Sequence, residues 1–211
     1  SSSKGANALI TACNITYSES EGRSFFKGLL ARITCTLSII VTVIVALAFI
    51  TIVPKWISWA SSGLMTAREA GWITWPIMLL LFNISLSALY RYGPHRKPAQ
   101  WRWVTPGSVL ATLLWIAASY GFSLYLSEFA TYNRTYGSVG GIVILLMWLY
   151  LSAYIILLGA EANSAIELQT SKDSTVGDEK PKGERGAYVA DHSPEDDKKE
   201  NQQQPVTDNP S

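Results

Sequence analysis

Long uncharged apolar runs alternate with short polar linkers along this chain. The first runs from Ile33 to Val53. At 1.5 Å of rise per residue, a helix of about twenty residues crosses a hydrocarbon core of about 30 Å. Its Thr and Ser hydroxyls can bond back to the helix's own carbonyls, so they do not oppose insertion. Pro54 and Lys55 are expected to end it. Three more runs follow, over about 72–90, 106–126 and 138–160. Pro76 and Pro106 fall near the expected helix starts, where a missing N–H costs little. A soluble protein could bury one such helix in its core. Four of them in 211 residues predict an all-α, polytopic transmembrane helical bundle of about four spans.

The flanks differ from the body. Residues 1–30 form a polar segment with amphipathic character, since Ala6, Leu9, Ile10 and Cys13 fall at helical spacing. The transmembrane domain is expected over 31–168. Residues 169–211 are rich in Lys, Asp, Glu, Gln, Pro and Ser, and predict a disordered polar tail that buries too little apolar surface to offset chain entropy. From residue 172 onward ten acids face six bases, a net −4, which leaves +5 for residues 1–171 of a chain whose total is +1.

That asymmetry sets an expected orientation. Arg23, Lys27 and Arg32 precede the first run, and Arg91, Arg96, Lys97 and Arg102 lie between the second and third. The other linkers hold only Lys55, Arg68 and Arg134. The positive-inside rule then places residues 1–30, the 91–105 loop and the tail in the cytoplasm. Trp56, Trp59, Trp72 and Trp75 should mark the outer interface, with Trp101 and Trp103 at the inner one. Cys13 and Cys35 fit no metal-ligand spacing and are expected as free thiols.

Polar residues within or beside the apolar runs are the candidates for function. Asn83 lies deep in the second run, where its amide needs either an interhelical partner or a solute pathway. Glu161 and Asn163 follow the apolar part of the fourth run, and Arg91, at the end of the second, is a candidate partner for Glu161. Tyr132, Asn133 and Tyr136 precede the fourth run. Gly107/Ala111, Ala117/Gly121 and Gly137/Gly141 have the four-residue spacing that lets helices approach closely, and Gly140–Gly141 could form a flexible entry to the fourth span. No catalytic constellation accompanies them. The two histidines lie apart at 95 and 192, and no metal-ligand cluster, nucleophile elbow or phosphate-binding glycine loop occurs. No cofactor is expected.

An ordered series of motifs is more specific than any of these singly. It comprises Tyr90-Arg91-Tyr92-Gly93-Pro94, Trp101-Arg102-Trp103-Val104, Pro106-Gly107, Gly121-Phe122-Ser123-Leu124-Tyr125, Tyr132-Asn133, Tyr136-Gly137-Ser138, Leu149-Tyr150-Leu151-Ser152 and Leu158-Gly159-Ala160-Glu161-Ala162-Asn163. Upstream come Asn14, Tyr17, Glu21, Arg23, Phe25 and Phe26. Over about residues 1–168 the chain resembles the YihY/BrkB family of bacterial inner-membrane proteins. The resemblance implies about six spans in a complete member, so one or two are expected before Ser1. It also implies a transporter or permease of unknown solute, or a non-transporting envelope, virulence or serum-resistance component. The family's older ribonuclease label finds no nuclease-like residues here. Expected partners are membrane lipids, a small solute or ion, and a second copy of the chain; no nucleic acid is expected.

Overall fold

The computed structural model describes residues 2–60, 67–129 and 133–193. Tyr132 and residues 194–211 therefore lie outside the described residues. So do the side chains of Asn133, Tyr136 and Gly137, whose backbone opens the last long helix.

Five long helices carry the fold: α1 (Ser2–Thr16), α2 (Phe25–Ala60), α3 (Ala67–Tyr92), α4 (Trp101–Phe129) and α5 (Asn133–Leu168). A short α6 spans Tyr188–Asp191. Each long helix after α1 contains one expected apolar run but extends beyond it. α2 continues to Ala60 past Pro54, while Pro76 and Pro106 sit inside α3 and α4. None of the three prolines marks a boundary, because each lost N–H removes one backbone bond from a helix held by many.

Among the described residues three stretches are long and apolar enough to cross a membrane: Phe25–Val53, Trp101–Ser127 and Val139–Leu168. α3 holds the second expected run, and the connectivity shows that it returns the chain. Arg23 donates to the carbonyls of Gly93 (3.1 Å) and Pro94 (3.0 Å). The start of α2 and the end of α3 are therefore neighbours, with the length of both helices between them. Arg96 reaches Glu167 in the same way, joining the start of α4 to the end of α5. Residues 14–23, the 93–100 loop and residues 167–193 thus meet at one end of the bundle.

Neighbouring helices pack in chain order, α2 on α3, α3 on α4 and α4 on α5, with α1 touching α2 and α5. The closest seam is α4–α5. Gly107 and Gly159 face each other there, so a Cβ on Gly107 would collide with the Gly159 carbonyl and Asn163. A Cβ on Gly159 would lie 2.5 Å from Tyr90 Oη and 2.7 Å from Ala111 Cβ. Gly107/Ala111 is thus a true small-residue contact. Gly121 and Gly141 are not: a Cβ at either meets open space. Four-residue spacing finds one face of a helix but not which face has a neighbour.

An aromatic series continues the seam upward, from Phe82 through Trp115 and Trp148 to Phe122, with centroid separations of 5.0, 5.6 and 5.1 Å. Outside it, Leu, Ile and Val of α2, α4 and α5 are exposed along their length. Trp56, Trp59, Trp72 and Trp75 are exposed at the end opposite the polar segments.

The C-terminal segment differs from the expected solvated tail. Asp173, Ser174, Thr175, Arg185, Val189 and Ala190 are buried. Thr175 pairs with Ala99 in an isolated antiparallel bridge, flanked by Gln100 N–H to Ser174 O (2.8 Å) and Val176 N–H to Pro98 O (3.0 Å). Polar groups hold the segment together. Arg185 donates to the carbonyls of Lys180, Ala190 and Ser171. Asp191 accepts from the N–H groups of Gly183, Arg185 and Gly186. Gly183 (φ +92) and Gly186 (φ +76) supply the left-handed turns that bring those N–H groups around one carboxylate.

Candidate functional site

Two places combine burial with polar chemistry. The first is a cap at the polar end. Arg96 leaves the 93–100 loop and meets Glu167, the penultimate residue of α5, in a two-pronged ion pair of 2.6 and 2.9 Å. Both side chains are fully buried. Ser174 of the C-terminal segment donates to the same carboxylate at 3.0 Å, and the Arg96 guanidinium lies 4.1 Å from the centre of the Tyr17 ring. Burial opposes the charge on Arg96, but the Glu167 carboxylate outweighs it and holds the guanidinium above its ordinary value. Burial also pushes the Tyr17 phenol up, against the pull of Arg96.

Asn14 is the second centre of the cap. Its amide donates to Glu21 at 2.6 Å, and its side-chain oxygen accepts the His95 N–H at 2.7 Å. Gly22 N–H in turn donates to His95 Nδ1 at 3.1 Å. The C-terminal segment closes over this part, with Tyr188 N–H donating to Glu19 at 2.7 Å. Burial raises the Glu19 carboxyl, and the bond from Tyr188 draws it back only partly.

A polar seam runs from the cap into the bundle. Asn163 is fully buried, accepts Gly107 N–H at 2.7 Å and donates to Val104 O at 2.9 Å. Val104 O and Gly107 N–H flank Pro106, so the amide fastens α5 to the first turns of α4. Ser87 donates to Ser108 at 2.7 Å, and Asn83 donates to Thr112 at 3.2 Å. Tyr90 Oη donates to Ile156 O at 2.7 Å. Each polar side chain in this seam has a partner on a neighbouring helix.

The other sequence candidates are dispersed. Arg91 does not pair with Glu161. Its guanidinium stacks on Trp101 (4.7 Å) and Tyr92 (5.3 Å), and Glu161 is exposed. An offset of two residues decides the difference, since it puts Glu161 on the opposite side of α5 from buried Asn163. Gly141 is exposed, and the backbone of Asn133, Tyr136 and Gly137 lies at the far end of α5 from the cap. Arg96 and Glu167 were not singled out as a pair. Glu167 is six residues beyond Glu161, and seventy-one positions separate it from Arg96. A second acid on the Asn163 face of the helix, four residues further along, was the available signal.

The second place is a cavity of about 670 Å³ between α2 and α3, touching α1 and α5. It extends along α2 from Lys27 to Val43, and along α3 from Phe82 to Gly93. Its lining is mostly apolar. Thr34, Ser38, Thr42 and Ser85 add hydroxyls, and Thr42 lies 3.4 Å from Ser85. Lys27, at the polar end, is the charged side chain in the lining. Among the described residues, no group of three or more His, Cys, Asp or Glu side chains is placed to hold a metal ion.

Helices of this length, apolar toward their surroundings and joined by polar contacts inside, define a multi-pass helical membrane protein. The chain belongs to the Virulence factor BrkB family, whose model matches residues 1–184. It is similar to YfkH of Bacillus subtilis, a protein named as ribonuclease-like, at 38% identity over 186 residues, covering 86% of this chain and 66% of YfkH. It is also similar to a UPF0761 membrane protein of Tolumonas auensis, at 34% identity over 121 residues, covering 50% of this chain and 39% of that one. A further UPF0761 membrane protein, from Stenotrophomonas maltophilia, is 33% identical over 88 residues, 42% of this chain and 20% of its own. The chain thus spans two thirds or less of the length of these relatives. No solved structure matches it.

Proposed function

We propose that the chain is the membrane-embedded part of a bacterial inner-membrane transporter or permease, whose solute occupies the cavity between α2 and α3. The cavity carries this reading. Its volume of about 670 Å³ lies within the range of small-molecule sites, and its apolar walls with a few placed hydroxyls have the character of one. The polar cap faces the cytoplasm in this reading. Arg23, Arg91, Arg96, Lys97 and Arg102 cluster at that end, as positive charge does on the inner side.

A second reading, a non-transporting envelope component, draws on the seam. Asn83, Asn163, Ser87 and Ser108 hydrogen-bond across helices, so these polar groups are taken up in holding α3, α4 and α5 together. The ribonuclease-like name of one relative comes with no cluster of general acid, base and metal ligands among the described residues.

A thermal-shift screen of the purified full-length protein against solutes, ions and lipids separates the two. A ligand of the folded state alone raises stability by about 2.7 kcal/mol at a hundred times its dissociation constant. A shift with one ligand of the screen, lost in a cavity-filling Ser38→Trp variant and followed by flux of that ligand in proteoliposomes, is the expected result. Binding without flux would move the assignment to the envelope component. Orientation is tested by impermeant thiol reagents on intact cells, with single cysteines in a cysteine-free background. Ala70→Cys should react and Lys97→Cys should not; the reverse overturns the assignment.

A further inference from the structure

The α2–α3 cavity has a shape and charge pattern that narrow its occupant. Along α2 it runs from Lys27 to Val43, sixteen residues or about 24 Å of helix. Half of a bilayer's hydrocarbon core is about 15 Å. The cavity is therefore longer than one leaflet is deep, and it begins at the polar end of the bundle. Its walls there and beyond are Leu30, Ile39, Leu86, Leu89 and their neighbours. The hydroxyls among them carry no charge, and Ser85 satisfies its own by donating to Leu81 O at 2.8 Å.

Among the described residues the one lining charge, Lys27, sits where the apolar walls end. It makes no ion pair among the described residues. The acids and bases around it are committed elsewhere. Glu21 holds Asn14 and Arg23, and Arg23 is spent on the carbonyls of Gly93 and Pro94. A free ammonium at the mouth of an apolar slot matches an amphiphile with an anionic head and a long apolar tail. The source of that amphiphile follows from α2 itself. Its most apolar window holds no buried residue, and a helix of that length and hydropathy lies among acyl chains, which brings them alongside the slot.

We propose that the α2–α3 cavity binds one anionic phospholipid, with an acyl chain against Leu30, Thr34, Ser38 and Leu86 and the phosphate at Lys27. The assignment rests on the reading of this cavity as the binding site, and names the class of molecule it takes. The polar hydroxyls along the slot leave an acyl chain free to slide, since none of them is a charge that must be matched. The geometry also assigns the inner leaflet as the source wherever the cap faces the cytoplasm, because Lys27 is at that end.

The test places the full chain in nanodiscs of phosphatidylglycerol and phosphatidylcholine, with a diazirine on the acyl chain of one lipid at a time. After irradiation, adducts are mapped by mass spectrometry. Adducts from the phosphatidylglycerol probe should concentrate on residues 30–42 and 82–89, several-fold above those from the phosphatidylcholine probe. Lys27→Gln should bring the two probes level, and Ser38→Trp should clear both from the slot while the melting temperature holds. Adducts spread evenly over the outward faces of α4 and α5 would mean surrounding lipid only and overturn the proposal. Equal labelling by both probes, unmoved by Lys27→Gln, would overturn the anionic head. Displacement of the probe by oleate as readily as by lysophosphatidylglycerol would assign a free fatty acid instead. Cross-linking through Cys35, which lines the slot, between two copies would assign the face to a dimer. A solute-dependent thermal shift lost in Ser38→Trp, with no lipid adduct in the slot, would keep the cavity as a site and overturn the phospholipid.

Discussion

Arg96 and Glu167 are seventy-one residues apart, and each is the other's principal polar contact in a place with no access to water. The pair ties the loop after α3 to the end of α5. Removing one member leaves a buried charge uncompensated, which costs about 3–5 kcal/mol. Glu167→Ala and Arg96→Ala should each lower the melting temperature in detergent sharply. Replacing both with apolar residues of similar size, Arg96→Met with Glu167→Leu, should recover much of the loss. A double variant as unstable as the singles would show that the pair does more than balance its own charges.

The helix seam predicts a contrast between glycines. Gly107→Ala and Gly159→Ala force a methyl into Asn163, Tyr90 or the facing backbone, and overpacking of this kind costs about 1–3 kcal/mol. Gly121→Ala and Gly141→Ala meet open space and gain helix propensity, so melting should hold or rise. Equal losses at all four would contradict the α4–α5 packing.

Asp173 makes the C-terminal segment sensitive to acid. Burial opposes its ionisation, but the Thr175 N–H and hydroxyl, the Lys180 N–H and Arg185 outweigh burial and hold its carboxyl below the ordinary range. A carboxyl lowered by folding contributes stability that is fully present above its unfolded value of about 3.9 and is lost as pH falls through the folded value. Protease nicking between residues 176 and 187 should therefore accelerate below about pH 4. Asp173→Asn should nick readily at every pH and lose that dependence. Glu19, whose carboxyl burial raises, has the opposite sign and favours the docked segment at the acid end of its range.

Truncation gives a direct reading of the same segment. Ending the chain after Ser193 keeps every described contact and should leave melting unchanged. Ending it after Gln169 removes Ser174 from Glu167 and Tyr188 from Glu19, and should lower it. No difference between the two would mean that the segment adds nothing to the bundle.

Cys13 offers a chemical probe of α1. Burial, with a smaller push from Cys35, raises its thiol to about 12. The thiolate is the reactive form, so Cys13 should resist maleimide at pH 8 until the protein is denatured. Fast native labelling of Cys13 would mean that α1 is not seated against α2 and α5.

Much of this architecture is legible in the pattern of apolar residues. The runs at 33–53, 72–90, 106–126 and 138–160 each sit within one long helix, because lipid demands continuous apolar length and the sequence shows it directly. The C-terminal segment was not legible in the same way. Its order comes from Arg185, Asp173 and Asp191 folding backbone groups around single charges, and composition counts those charges as evidence for solvation. The site was half legible. Asn83 and Asn163 stand out as polar residues near apolar runs. Their partners Thr112, Ser108 and Gly107 look like ordinary helix residues until the facing helix is known. Arg96 reads as one more basic loop residue, and Lys27 as one more flanking charge; burial distinguishes the first and the cavity beside it the second.

The bond from Tyr188 to Glu19 spans nearly the whole described chain, 169 positions. During synthesis the ribosome releases Glu19 long before Tyr188 exists, and every helix must be threaded in between. A molecule in which any one of α2–α5 failed to cross would carry the two residues on opposite faces of the bilayer, and the clasp could never form. Its closure is thus a checksum on biogenesis. A copy that closes the clasp buries part of residues 170–193, and a copy that cannot close it leaves that segment exposed.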